Sequence, residues 1–88
     1  MVIKGIVIKM IELEFKVDVV YCKTKNRCSA YYNNMILSFS FDKDDLVYDI
    51  NVDYKDVGIV IPYDNIGLAM VNMKAYKKDK WKDIINKC

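Results

Sequence analysis

Eighty-eight residues hold one compact domain and exclude two. With 53% apolar and 30% charged residues the chain is a folding sequence, and with no histidine it lacks the commonest general base and the commonest metal ligand. The net charge of +2 is too small to mark a nucleic-acid binder by itself, and no run of 18 apolar residues offers a spanning helix.

The elements are read in chain order. Residues 2–9 are rich in β-branched side chains and interrupted by Gly5, which favours a strand. Val2, Ile3, Ile6, Val7, Met10 and Ile11 also fit helical spacing, so the segment is ambiguous and strand is the expectation. From Ile11 to Tyr21 apolar residues alternate strictly with Glu12, Glu14, Lys16 and Asp18, the pattern of a long half-buried strand. Lys23–Arg27 reads as a polar loop, with Asn26 suited to a turn.

Tyr31–Phe41 reads as a second strand, with Met35, Leu37, Phe39 and Phe41 on one face. A hairpin loop at Asp42–Asp45 leads into a strand through Leu46–Tyr54. Pairing 35–41 with 46–54 is expected to bury Leu37, Phe39, Tyr48, Ile50 and Val52, because a one-residue slip buries Asp49 and Asp53 instead. A short strand at Ile59–Ile61 is expected to stop at Pro62. Residues 66–76 lean towards helix through Leu68, Ala69, Met70, Met73 and Ala75. From Asp79 a lysine-rich helix with an apolar stripe of Trp81, Ile84 and Ile85 is expected to pack on the sheet.

The fold class that follows is α+β: a small, curled, mostly antiparallel sheet of four to five strands with a C-terminal helix packed on it. A two-layer sandwich and a partly open barrel fit this pattern equally.

Charge is segregated along the chain. Residues 1–41 carry +3, 42–57 carry −4, 58–73 carry −1 and 74–88 carry +4. The cations are thirteen lysines and a single arginine, which argues against bidentate base readout. The weight of Lys, Ile, Asn and Tyr is what an AT-rich coding genome produces. Cys22, Cys28 and Cys88 are too few and too scattered to hold zinc. The start of the chain lacks a cleavable leader pattern, so a reduced, cytoplasmic protein is the expectation and a Cys22–Cys28 disulfide the lesser alternative.

No constellation supports catalysis. Ser29, Ser38 and Ser40 have no histidine to activate them, and Asp42, Asp44 and Asp45 lack the glycine and distal glutamate of an EF-hand. Asp49 and Asp53, about 13–14 Å apart on an extended strand, are too distant for a glycosidase pair. Neither cofactor nor metal is expected, and the chain is read as a non-enzyme.

Two binding surfaces stand out instead. Asp42, Asp44, Asp45, Asp49 and Asp53, continued by Asp56, form an acidic row suited to a basic groove on a protein or nucleoprotein partner. Tyr21, Lys23, Lys25, Arg27, Tyr31 and Tyr32 interleave aromatic and basic residues, the chemistry of single-stranded nucleic-acid binding. The lysines from Lys74 onward suit either plain solvation or an anionic surface.

The run Ile59–Ile66, followed by a terminal helix, resembles the last strands of bacterial pleckstrin-like domains, and the likeness carries no functional residue. In its small size, missing histidine and composition the chain resembles phage-encoded inhibitors such as anti-CRISPR proteins. The expectation is an interaction protein that binds and blocks a partner. A single-strand nucleic-acid-binding domain is the alternative.

Overall fold

The computed structural model describes residues 2–80 and 82. It contains α1 (Lys4–Phe15), β1 (Val20–Cys22), β2 (Arg27–Tyr32), β3 (Met35–Phe41), β4 (Val47–Tyr54), β5 (Ile59–Tyr63), α2 (Ile66–Ala75) and a 3₁₀ turn at Lys78–Lys80. The five strands form one antiparallel meander in the order β1-β2-β3-β4-β5, open at both edges. Both helices contribute to the core on one face of this sheet, giving a two-layer α+β domain.

The first fifteen residues correct the sequence reading. The strand expected over 2–9 does not form, and of the strand expected over Ile11–Tyr21 only Val20 and Tyr21 are β; α1 takes residues 4–15. The reason lies in which apolar residues meet the core. Val7, Ile11 and Phe15 recur every four residues and are buried, whereas Leu13, on the same face as Ile11 and Phe15 in a strand, is 66% exposed. Burial of that helical stripe outweighs the β preference of the branched side chains. Extended backbone survives only just before the helix, where Ile3 bridges Leu46, and where Val47 N–H donates to Val2 O and Lys4 N–H to Asp45 O. Lys16, in the left-handed region (φ 59°), ends α1 as its N–H returns to Glu12 O.

The strand expected over Tyr31–Phe41 is two strands. Asn33 and Asn34, with φ of 46° and 61°, make a two-residue turn, and Tyr32 faces Met35 across it. Asparagine tolerates the left-handed conformation that such a hairpin turn demands at both central positions. The β3–β4 hairpin forms as expected, with its loop organised by Asp42, whose Oδ1 accepts from the N–H groups of Asp44 (2.9 Å) and Leu46 (3.0 Å).

The hairpin register carries one further correction. Between Ser38↔Asn51 and Ser40↔Tyr48 the pairing shifts, with Asp49 at φ 53°. This bulge turns Tyr48 outward, 53% exposed, and Val47 takes the inward place expected of it. Leu37, Phe39, Ile50 and Val52 are buried as expected. β5 also runs through Pro62 to Tyr63, which an edge strand permits because its outer side needs no donor.

α2 begins at Asn65, whose side chain accepts from Leu68 N–H at 2.7 Å, and it buries Ile66, Ala69, Met70 and Met73 against β4 and β5. Trp81, Ile84 and Ile85, expected on a helix from Asp79, lie outside the described residues.

Candidate functional site

With both helices on one face, no described element covers the other. Strand pairing assigns the residues of that outer face. Cys22 stands opposite Arg27, Ser29 opposite Ser38, Tyr31 opposite Ile36, Ile36 opposite Asp53, and Asp53 opposite Val60. All of these but Tyr31, joined by Lys25 and Asn51, line a shallow groove of about 380 Å³.

Arg27 organises the polar centre of this face. Its Nη1 donates to Ser40 Oγ and to Asp49 Oδ2, both at 2.7 Å, and its Nη2 donates to Ser38 Oγ at 2.9 Å and to Asp49 O at 3.2 Å. One planar guanidinium thus ties β2 across β3 to the bulge of β4. Asn51 Nδ2 donates to Asp49 Oδ1 at 3.1 Å. The Asn51 amide, and after it Arg27, hold the Asp49 carboxyl below the usual aspartate range. Two features gave this centre away only in part: Ser38 and Ser40 are legible as a polar strand face, but their convergence on Arg27 requires the Asn33–Asn34 turn.

The structure divides the acidic row. Asp42, Asp44 and Asp45 occupy the β3–β4 turn, and Asp45 lies 3.6 Å from Lys4 Nζ. Asp49 is held by Arg27, and Asp53 lies 3.6 Å from Lys55 Nζ. Asp56, beyond the end of β4, accepts from the Asn34 amide at 3.3 Å. Asp49 and Asp53 reach the outer face, while the other three expected acids sit at the end of the hairpin where β3 gives way to β4.

The aromatic and basic set is divided as well. Tyr21 pairs with Cys28 on the inward side, its ring 5.5 Å from that of Phe41, and Lys4 Nζ lies over both rings. Lys23 and Lys25 form the β1–β2 turn, and Arg27 begins β2. Tyr31 and Tyr32 are at the opposite end of β2 and on opposite faces. Tyr31 is 62% exposed, while the Tyr32 ring packs 4.4 Å from Phe15. Cys22 and Cys28 are both free, Cys22 exposed on the outer side and Cys28 buried on the inner side.

Among the described residues no three of His, Cys, Asp or Glu converge to hold a metal ion, and no helix is long and apolar enough to cross a membrane. Comparison with protein-family models, with curated proteins and with solved structures finds no match. The class that the fold itself defines is a small α+β domain, a five-stranded antiparallel meander with two helices on one face.

Proposed function

We propose that this chain is a non-enzymatic interaction domain that binds, and by occupancy blocks, a protein or nucleoprotein partner through the outer face of its sheet. The observation that carries the reading is the asymmetry of the two layers: the helices fill one face, and the groove between Arg27 and Val60 lies open on the other. A rigid sheet presents fixed side chains at little entropic cost. Val60 and Tyr31 supply exposed apolar contacts, and Lys25, Arg27 and Asp53 supply charge of both signs. Occupying a partner's surface demands no catalytic group, which suits a chain without histidine.

The test uses immobilised full-length chain and host lysate, with Asp53→Lys/Val60→Glu as the comparison. Both residues are on the outer face, so the double variant is expected to fold. Loss of a captured protein with the variant, at unchanged melting temperature, supports the reading. Equal capture by both forms places the binding surface elsewhere. A gel shift with mixed-sequence single strands examines the nucleic-acid alternative. A shift abolished by Lys23→Glu/Lys25→Glu establishes it in place of a protein partner.

A further inference from the structure

A cleft opens on the helix layer, where the chain leaves β5 and enters α2. Strand β4 contributes Val47 and Ile50 to it, the start of the chain contributes Val2 and Val7, and α2 contributes Ile66. Asp64 and Asn65, both exposed, stand where it meets solvent, whereas Val7, Val47, Ile50 and Ile66 are buried. All five apolar residues are β-branched. Such side chains are short and stiff at χ1, so none of them swings in to close the space to the density of an ordinary interior. The cleft holds about 220 Å³. An apolar cavity of about 150 Å³ takes benzene, so this one takes a ligand of roughly nine non-hydrogen atoms.

We propose that this cleft is a binding site for a small apolar amine, whose hydrocarbon body lies among the valines and isoleucines and whose ammonium meets the Asp64 carboxylate. Asp64 decides the chemistry of the polar end. Its carboxylate makes no ion pair and no hydrogen bond among the described residues, unlike Asp45, Asp49 and Asp53. An ionised carboxylate only accepts, so the matching group on the ligand is a donor. A charge-assisted N–H···O bond is stronger than a neutral one, which favours an ammonium over a hydroxyl. An anion is the poorer occupant. Asp64 repels it, and the Leu68 N–H at the start of α2 is already taken by the Asn65 side chain at 2.7 Å. Water alone is also poor, because the buried part of the cleft offers it aliphatic walls. The cleft and the outer face lie on opposite sides of the sheet, so a variant in one leaves the other intact.

Titration of the isotopically labelled full chain with phenethylamine, phenethyl alcohol and phenylacetate, followed by amide chemical shifts, tests this. The three probes share a ring and a similar length and differ in the polar end. Phenethylamine is expected to bind with a dissociation constant on the order of millimolar and to shift the signals of Val7, Val47, Ile50 and Ile66 foremost. The alcohol is expected to bind about fivefold more weakly, the share of an exposed ion pair, and phenylacetate more weakly still. Asp64→Asn is expected to bring the amine down to the level of the alcohol with unchanged circular dichroism, because the residue is exposed. Val2→Phe is expected to fill the cleft and to abolish binding of all three probes without lowering the melting temperature. No shift at millimolar amine, phenylacetate binding as tightly as the amine, or full amine affinity in Asp64→Asn overturns the proposal. So does a shift confined to Arg27, Asp53 and Val60 on the outer face.

Discussion

Arg27 grips Asp49 twice, at the carboxylate and at the main-chain carbonyl, across the full width of the intervening strand β3. Asp49 is the residue that adopts φ 53° at the bulge, so the only arginine in the chain stabilises its least regular strand position. The side chain is therefore committed to the fold and not free to read phosphate. Arg27→Ala is expected to lower stability by about 1–3 kcal/mol, since several charge-assisted hydrogen bonds are lost and Ser38 and Ser40 lose their donor. Arg27→Lys is expected to recover only part of this, because an ammonium cannot span the same acceptors. Urea denaturation of the three proteins reads both effects.

The same contact predicts a pH dependence. Asn51 and Arg27 favour the ionised form of Asp49, so its folded pKa lies below its unfolded value, about 3.9 for aspartate. A depressed acid contributes stability above the unfolded value and loses that contribution as pH falls through the folded one. Asp49→Asn is expected to be less stable than wild type at neutral pH. The gap should narrow progressively below about pH 4. A gap independent of pH places the loss in packing or backbone strain and not in the charge.

Ile11 and Leu13 separate the helix from the strand that their alternation suggests. In α1 the first is fully buried and the second is the most exposed apolar residue of the helix. Ile11→Ala is expected to cost about 2–4 kcal/mol, and Leu13→Ala to stay within about 0.5 kcal/mol. Equal losses are what a strand with both residues on its inner face would give.

How much was legible follows from these residues. The β3–β4 hairpin was readable because its alternation and its Asp-rich turn agree, and local signals that agree specify structure strongly. The helix over 66–75 is readable from the helical propensity of Leu68, Ala69, Met70 and Met73, while the Asn65 cap emerges only in the structure. α1 was misread because the apolar residues between Val7 and Phe15 satisfy both periods, and the choice is made by tertiary burial, which one sequence does not display. The Asn33–Asn34 turn lies inside the segment Tyr31–Phe41 that reads as one strand, although two adjacent asparagines are a usable signal for paired left-handed residues. The bulge at Asp49 leaves no mark in the pattern of residues 46–54, so the outward turn of Tyr48 and the grip of Arg27 were both out of reach.

The two described cysteines are neighbours across β1–β2 and chemically unlike. Cys22 is exposed, and the Thr24 hydroxyl and then the Lys25 backbone N–H favour its thiolate, lowering its pKa. Cys28 is buried in the core, and burial pushes its thiol up. Because successive strand positions alternate faces, and Cys22 pairs with Arg27 while Tyr21 pairs with Cys28, the two sulfurs point to opposite sides of the sheet. A disulfide between them therefore requires the β1–β2 register to break. Iodoacetamide at neutral pH is expected to modify Cys22 quickly and Cys28 only after denaturation, with the sites assigned by peptide mass mapping. Raising the pH towards 9 is expected to accelerate labelling of Cys22 less than that of an unperturbed thiol, whose ordinary pKa is about 8.5, because more of Cys22 is already ionised. Rapid labelling of Cys28 in the native protein would show that its strand opens readily, and a 22–28 crosslink under mild oxidation would show that the first hairpin is not held in this register.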